Sequence, residues 1–298
     1  MNVYIGTAGF LYKDWEGIVY PKDLKKRKIH PLEYLAQFID FCEINTSFYG
    51  HIRPTVGRSW CQKVAAVNPS FQFTAKLFQG FTHLPKGTKA PSPFNLTVSA
   101  EDEKLAREGL DSVADEGRLG AVLVQFPISF KNEDDTRDYL FNLINKFSQY
   151  PLVLEIRHES WNDADILGRL AEAGVAFANI DQPRLGKSLR GTQHVTAQVG
   201  YVRLHGRNYK EWFQADNRND RYNYLYKPKE LEGWKEKIND ISQKAEKTFV
   251  VTNNHYKGQA AVNALELKNM LSGTKVKIPE PLVEHYPEQL KGIVAPLC

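Results

Sequence analysis

The chain has 298 residues, of which 42% are hydrophobic and 25% are charged, and its formal net charge is +4. This profile excludes a disordered or fibrous chain and is typical of one large globular domain. The cysteines Cys42, Cys61 and Cys298 are too far apart to favour a disulfide framework or a C-x-x-C metal site. No run of about 18 apolar residues is present, and the first residues lack the pattern of a secretion signal. We therefore expect a cytoplasmic protein with no membrane partner.

Eight short apolar runs alternate with stretches of helical period. The predicted strands are Val3–Gly9, Phe41–Phe48, Phe71–Leu77, Leu119–Phe126, Leu152–His158, Val175–Asp181, Gly200–Gly206 and Thr248–His255. The predicted helices are Pro31–Ile39, Pro54–Val67, Ala100–Ala114, Asp135–Phe147, Ala164–Ala173, Lys229–Lys244 and Gln259–Leu271. A helix that follows a strand brings the chain back to the same end, so such strands pair in parallel. The pattern predicts a single-domain α/β fold, a (β/α)₈ TIM-type barrel over residues 1–273, with the tail 274–298 packed on the barrel.

Three predicted connections are longer than a plain barrel requires, and all three follow strand ends where functional loops lie. They span residues 10–21, 78–95 and 207–228. The last contains an aromatic and basic mixture suited to covering an anionic or planar ligand: Trp212, Phe213, Arg218, Arg221, Tyr222, Tyr224 and Tyr226. The alternative is that these loops only pack on one another. Residues 183–198 have no helical stripe, which predicts an irregular connection there.

Most of the predicted strands become polar near their last residues. Side chains alternate across a strand, so Leu152, Leu154 and Ile156 share one face while Glu155 and Arg157 share the other. We expect the apolar face to meet the helices and the polar face to point into the barrel. The same rule predicts these inward residues on other strands: Glu43, Asn45, Lys76, Gln125, Asn179, Asp181, Arg203 and His205. In the eighth strand either Asn253 with His255 or Thr252 with Asn254 points inward.

The predicted inward set carries three carboxylates and three fixed cations, so it can be neutral and paired. One interpretation is a structural network of ion pairs that fills the barrel. The other is a ligand site with an acid, a base and anion-holding groups on rigid strands. Barrel interiors are filled mainly by branched apolar residues, and this favours the functional interpretation.

Several reaction classes fit these residues poorly. A glycosidase needs a general acid, but Arg157 and Arg203 would keep the carboxylates ionised. A Schiff-base mechanism needs a neutral lysine, and we expect the neighbouring carboxylates to raise the pKa of Lys76, which is the inward candidate. The sequence has neither a P-loop nor a G-x-G-x-x-G motif, and no cofactor is predicted.

A divalent metal ion is a further possibility. Glu155, Asp181 and His205 lie on consecutive predicted strands and are of types that bind zinc, manganese or magnesium. Two arginines in the same layer oppose this arrangement because they repel a cation.

Anion binding fits the ends of the last two strands best. Barrel phosphate sites form after strands seven and eight. Here Gly206 and Gly258 permit close backbone approach, and Arg207 or Lys257 supplies charge. The alternative for Gly258 is that it only makes a tight turn.

Ordered motifs along most of the chain resemble the YecE-like family, also known as domain of unknown function seventy-two. They are Gly6-Thr-Ala-Gly9 with Trp15, Glu43-Ile-Asn-Thr-Ser-Phe-Tyr49, Phe73-Thr-Ala-Lys76 with Thr82-His83, Gln125-Phe-Pro127, Glu155-Ile-Arg157 with Ser160-Trp161, Arg203-Leu-His-Gly-Arg207, Tyr224-Leu-Tyr226, and Asn253-Asn-His255 with Gly258-Gln-Ala260. The resemblance covers Asn2 to Met270 and implies a TIM-type barrel. It implies no particular reaction.

The sequence therefore predicts an enzyme that binds a phosphate- or carboxylate-bearing molecule at the strand ends. In this hypothesis Arg157, Arg203 and Arg207 hold the anion, and His205 or Glu155 transfers a proton. The remaining predicted site residues orient these groups or contact the ligand: Glu43, Asn45, Asp181, Lys76, Gln125, Asn253, Asn254 and Gly258. A protein that acts on nucleic acid or another phosphodiester is one alternative, and a noncatalytic ligand-binding barrel is another.

Overall fold

A computed structural model describes residues 2–85, 87–91, 94–183, 186–209 and 218–295. Trp212 and Phe213 of the predicted aromatic loop lie outside these residues. The strands are β1 (Val3–Ala8), β2 (Phe41–Ile44), β3 (Gln72–Lys76), β4 (Leu119–Gln125), β5 (Leu152–Glu155), β6 (Ala176–Asp181), β7 (Val199–Leu204) and β8 (Lys247–Thr252). They pair in parallel in chain order, and β8 pairs with β1 to close the barrel. The predicted TIM-type barrel is confirmed.

The helices of the described residues surround this barrel. They are α1 (Pro31–Leu35), α2 (Pro54–Ala65), α3 (Ala100–Ala114), α4 (Asp134–Lys146), α5 (Ala164–Glu172), α6 (Pro228–Lys244), α7 (Gln259–Ser272), α8 (Glu280–His285) and α9 (Pro287–Leu290). Proline occupies the first turn of α1 and α2, where a missing N–H costs nothing. The Ser99 hydroxyl accepts the Asp102 N–H at 3.0 Å and caps α3. Within the described residues, no helix is long and apolar enough to cross a bilayer.

Pairing stops earlier in several strands than the apolar runs suggested. Asn45, His205 and Asn253 each come directly after the last paired residue of their strand, and Arg157 comes two residues after β5. The His205 and Asn253 N–H groups still donate to the neighbouring strands, to the Asp181 and Leu204 carbonyl oxygens at 2.9 Å and 2.8 Å, so these residues form the rim of the barrel. The polar side chains therefore lie at the carboxyl-terminal mouth of the barrel rather than halfway down its interior.

Aromatic rings fill the interior toward the other end. The ring of Phe249 stacks on Tyr4 at 5.2 Å and meets the edge of Phe41 at 5.0 Å, measured between centroids. A Cβ atom on Gly120 would lie 2.3 Å from the Phe249 ring, and one on Gly6 would lie 2.0 Å from the Phe41 carbonyl oxygen. Glycine makes room for the Phe249 ring at position 120 and for the close approach of the β2 backbone at position 6. The amino-terminal half of the lumen is thus a packed apolar core.

Residues 274–295 pack beside the start of α7. Val276, Ile278, Leu282 and Leu290 are buried in the same core cluster as the barrel wall. The Tyr286 hydroxyl donates to the Lys257 carbonyl oxygen at 2.8 Å. This segment covers the junction of β8 and α7 from outside.

Candidate functional site

Four charged or titratable side chains meet in the lumen at the carboxyl-terminal end of the barrel: Glu43, Glu155, Arg203 and His205. We refer to them as the buried cluster, because each is 0% exposed. Arg203 Nη2 donates to Glu43 Oε1 at 2.7 Å, and Arg203 Nη1 donates to Glu155 Oε2. Arg157, whose side chain is 17% exposed, donates from Nη2 to the other oxygen of Glu155 at 3.0 Å. Charges buried this deeply are tolerated only when they are paired and hydrogen-bonded in this way.

The buried cluster keeps Glu155 ionised. Burial by itself would raise the pKa of this carboxyl, but Arg203, His205 and Arg157 outweigh that effect and hold the pKa well below its usual range. Glu43 is bound from its other side by the Tyr201 hydroxyl, which donates to Oε2 at 2.9 Å. Both carboxylates accept hydrogen bonds within the protein, and Glu155 has no proton to give to a substrate at neutral pH.

His205 is held as a neutral imidazole with a defined tautomer. Burial lowers the pKa of His205 to about 3. Asn253 Nδ2 lies 2.9 Å from His205 Nδ1, and an amide nitrogen can only donate. The proton of the ring is therefore on Nε2, which faces Glu155 Oε1 at 3.4 Å. Both ring nitrogens are engaged within the protein, so His205 fixes the orientation of Asn253 at the mouth.

A cleft of about 560 Å³ opens directly above the buried cluster. We call it the mouth cleft. Its described lining residues come from the ends of β2, β3 and β8 and from the loops after β1, β2, β3 and β7: Tyr12, Asn45, Phe48, Tyr49, Lys76, Gln79, His83, Arg221, Tyr222, Asn253 and His255. The Tyr12 and His255 rings stack at 4.2 Å with an interplanar angle of 9°, and Tyr222 lies 4.7 Å from His255. The cleft therefore has one rigid aromatic wall.

Lys76 forms part of the floor of the mouth cleft. Its Nζ donates to Gln125 Oε1 at 2.9 Å and lies 5.3 Å from the centroid of the Phe48 ring. Burial and then the positive charge of Arg203 lower the pKa of Lys76 to about 8. The expectation of a raised pKa is wrong: Glu43 and Glu155 do raise the pKa of Lys76, but burial and Arg203 outweigh them.

The described lining of the mouth cleft carries positive charge without a carboxylate. Lys76 and Arg221 are its cations, and Asp and Glu are absent from these lining residues. His83 lies on the same rim, where burial and then Arg157 and Lys76 lower its pKa to about 4. At neutral pH the cleft therefore offers cations and neutral hydrogen-bonding groups, a setting that favours an anion.

On strand β6 the predicted inward orientation of Asn179 and Asp181 is wrong. The register pairs Ile180 with Arg203 and Asp181 with Leu204, so Ile180 shares the inner face with Arg203. Asn179 bonds instead to the outer connection, where its Oδ1 accepts the His194 N–H at 2.8 Å. The side chains of Ala178 and Ile180 occupy the lumen, while Asn179 and Asp181 find hydrogen-bond partners on the outer face.

Arg207 forms an ion pair with Asp181 outside the barrel. It does not lie with Arg157 and Arg203 in the lumen. Arg207 Nε lies 2.8 Å from Asp181 Oδ2, and Nη1 lies 2.8 Å from Glu230 Oε1 on α6. We call these three residues the outer network. The proposed metal ligands Glu155, Asp181 and His205 are therefore on opposite faces of the sheet. Within the described residues, no group of three His, Cys, Asp or Glu side chains is placed to hold a metal ion.

The two asparagines after β8 have opposite orientations. Asn253 contacts His205 in the lumen, whereas Asn254 Nδ2 donates to Asn263 Oδ1 of α7 at 2.7 Å. This resolves the ambiguity of the eighth strand in favour of Asn253 with His255. Asn254 lies behind the sheet and is not a ligand-facing residue.

Gly258 makes a tight turn and does not form an open anion site. Its φ is 82°, and a Cβ atom there would lie 2.8 Å from Val19 Cγ2. The neighbouring Lys257 N–H donates to the Asp14 carboxylate at 2.7 Å. The protein's own side chains thus occupy the approach to this turn, which supports the tight-turn alternative.

The structure brings nine predicted residues together at the mouth or directly beneath it. They are Glu43, Asn45, Lys76, Gln125, Glu155, Arg157, Arg203, His205 and Asn253. Sequence reasoning missed Tyr201 and Tyr12. Tyr201 lies two residues before Arg203 on β7, so alternation was sufficient to find it. Tyr12 carries no such signal, because it lies in a loop.

Comparison with known proteins places the chain in a family. A family profile described as "Protein of unknown function DUF72" matches residues 4–287. The UPF0759 protein YunF of Bacillus subtilis is 28% identical over 282 residues, which is 90% of this chain and 94% of that protein.

Solved structures agree with this match. A DUF72 family protein from Thermotoga maritima is 34% identical, with a TM-score of 0.77, over 91% of this chain and 100% of that one. A DUF72 family protein from Enterococcus faecalis is 23% identical, with a TM-score of 0.75, over 91% of this chain and 95% of that one, and this second likeness shows the fold alone. YecE-like is another name for the same family, so the resemblance in the motifs is confirmed. The chain belongs to the DUF72 family.

Proposed function

We propose that this protein is an enzyme that binds a small molecule with a carboxylate or phosphate group in the mouth cleft. The observation that carries the proposal is the charge of the cleft, whose described lining residues include Lys76 and Arg221 and no carboxylate. Electrostatic attraction is strong in such a partly desolvated site, because little water screens it.

The residues divide into two roles under this proposal. Lys76, Asn45, Asn253 and Arg221 line the cleft and contact the ligand, and the charge of Arg157 acts on Lys76 and His83. The buried cluster lies beneath them and acts indirectly. Arg203 and Lys76 share the Gln125 side chain, at 3.4 Å and 2.9 Å from its Oε1, and His205 holds Asn253. The acid and base roles first assigned to Glu155 and His205 become positioning roles, since neither side chain is exposed.

Isothermal titration calorimetry at low salt tests the proposal, with inorganic phosphate, glyoxylate and glyceraldehyde 3-phosphate as probes. Arg221→Gln removes a cation of the cleft, and Arg58→Gln removes an exposed one on α2. We expect Arg221→Gln to weaken binding by about tenfold, the effect of losing one charged hydrogen bond, and Arg58→Gln to have no effect. Absence of binding by all three probes, or equal loss in both variants, would contradict the proposal.

A second candidate ligand is single-stranded nucleic acid. Tyr49 lines the rim of the cleft and is 67% exposed, so its ring is available to stack on a base while the cations contact phosphates. Fluorescence anisotropy with a labelled oligonucleotide tests this candidate. Binding should weaken steeply with salt and with Tyr49→Ala, and an oligonucleotide that stays free at low salt would remove it.

A further inference from the structure

We infer that the amine of Lys76 forms an imine with the aldehyde or ketone group of a small molecule that also carries a carboxylate or phosphate. The inference rests on the proposed function, because the anionic group of the same molecule would be held by the cations of the mouth cleft. It names the substrate class as anionic carbonyl compounds and assigns Lys76 a covalent role.

The position of Lys76 suits a nucleophile. It is the last residue of β3, so a rigid strand places it at the mouth. Its Nζ is oriented by Gln125 and by the Phe48 ring, and its side chain is only partly buried. An amine held in this way reaches the carbonyl group of a bound molecule without a large loss of side-chain entropy.

Lys76 differs from the other cations of the lumen in the charges that surround it. Arg203 pairs with two carboxylates, and Arg157 pairs with one of them. No carboxylate among the described residues lies within 4.0 Å of Lys76 Nζ. Imine formation requires the neutral amine, and a lysine beside other cations in a desolvated site loses its proton readily.

The pKa of about 8 that burial and Arg203 give Lys76 supports the same conclusion. The ionised groups that act on Lys76 come from the carboxyl-terminal parts of three other strands and from the loop after β3. They are Glu43 on β2, Glu155 and Arg157 at the end of β5, Arg203 on β7, and His83 when it is protonated.

The covalent step is balanced without an external oxidant or reductant. The Nζ lone pair attacks the carbonyl carbon and forms a carbinolamine. A proton moves from nitrogen to solvent, the hydroxyl takes up a proton, and water leaves as the C=N bond forms. The products are one imine and one water molecule, and water reverses the step. The protonated imine withdraws electrons from the neighbouring carbon, which is the chemical use of such a lysine.

Reductive trapping on the full-length protein tests the inference. The protein is mixed with glyoxylate or glyceraldehyde 3-phosphate and sodium cyanoborohydride, and the adduct is located by intact mass and peptide mapping. We expect a single adduct on Lys76, formed at least tenfold faster than on any other lysine. In the wild-type protein, the rate should rise steeply between pH 7 and pH 9, because the amine titrates near its pKa of about 8.

The matched variants are Lys76→Arg and Lys247→Arg. The first keeps the charge but cannot form an imine, and the second changes an exposed lysine at the amino-terminal end of β8. Trapping should vanish in the first and remain in the second. Lys76→Met replaces Lys76→Arg as the test variant if Lys76→Arg does not fold. The peptide map of the wild-type protein locates the adduct without any variant. An adduct spread evenly over the surface lysines would overturn the inference.

The two proposals fail in different ways. If phosphate binds by calorimetry but no adduct forms on Lys76, the imine is overturned while the anion site stands. A second experiment compares glyoxylate with acetaldehyde, which has a carbonyl group but no anionic group. Each rate of adduct formation at Lys76 is divided by the rate of the same aldehyde with free Nα-acetyl-lysine, which corrects for the intrinsic reactivity of the aldehyde. If acetaldehyde reacts at Lys76 as fast as glyoxylate on this scale, the reactive lysine stands and the anion preference is overturned.

Discussion

The buried cluster and the outer network use the same residue types in opposite surroundings. Both place an arginine between two carboxylates, Arg203 between Glu43 and Glu155 and Arg207 between Asp181 and Glu230. The Arg203 side chain is 0% exposed, whereas that of Arg207 is 40% exposed. Solvent screens the outer pairs and leaves the inner ones in a low dielectric. Burial, and not the motif, therefore decides how strongly these charges control stability and neighbouring pKa values.

The largest effect that separates the two networks is expected from Arg203→Met. This change leaves Glu43 and Glu155 buried with one cation fewer, and breaking a buried pair in this way costs about 3–5 kcal/mol. Urea denaturation monitored by circular dichroism measures the loss in free energy of unfolding. A loss below about 1 kcal/mol, the typical value for an exposed pair, would mean that water enters the cluster.

Glu266 on α7 is a further buried carboxylate, and no described lysine or arginine forms an ion pair with it. It accepts a hydrogen bond from Asn263 at 2.7 Å, and burial raises its pKa to about 7. The folded state then binds the proton more tightly than the unfolded state, so stability falls as pH rises from 4.5 through 7. Glu266→Gln should remove this loss and stabilise the protein by about 3 kcal/mol at pH 8, with little effect near pH 4. Denaturation curves at both pH values measure it, and equal effects at both would contradict the assignment.

His205 should make the buried cluster sensitive to acid. Its folded pKa of about 3 lies below the usual 6.5, so its contribution is complete above pH 6.5 and is lost as pH falls toward 3. Between pH 7 and pH 5 the loss is about 2 kcal/mol. His205→Gln should flatten this part of the stability profile, and His285→Gln, at an exposed position, should not. An unchanged profile in His205→Gln would show that the histidine is hydrated.

The smallest effect is expected from Arg207→Met in the outer network. Because Arg207 and its partners are partly hydrated, the loss should be about 1 kcal/mol or less and should shrink further in high salt. The same denaturation assay measures it beside Arg203→Met. A loss as large as that of Arg203→Met would abolish the distinction between the networks.

Strand alternation explains both the successes and the failure of the predicted site. It placed Glu155 and Arg203 correctly, because each lies on a strand whose other face is plainly apolar. It failed on β6, where Ala178 and Ile180 are as suitable for the lumen as for the outer face. The connection after β6 also presents backbone groups to Asn179, which makes an outward polar side chain favourable there. Neither fact is visible in a single strand.

The order of strands and helices, the closed barrel and the polar character of the strand ends were all determined by the sequence itself, because they depend on local periodicity. The tertiary structure alone decided the absolute face of β6, the closure of the turn at Gly258 and the lowered pKa of Lys76. Each of these depends on groups brought close from distant parts of the chain: the register with β7, the side chain of Val19, and for Lys76 its burial and then the arginines of β7 and of the segment after β5. Packing and electrostatic interactions between residues distant in the sequence set these properties, so they cannot be predicted from the periodicity of the sequence.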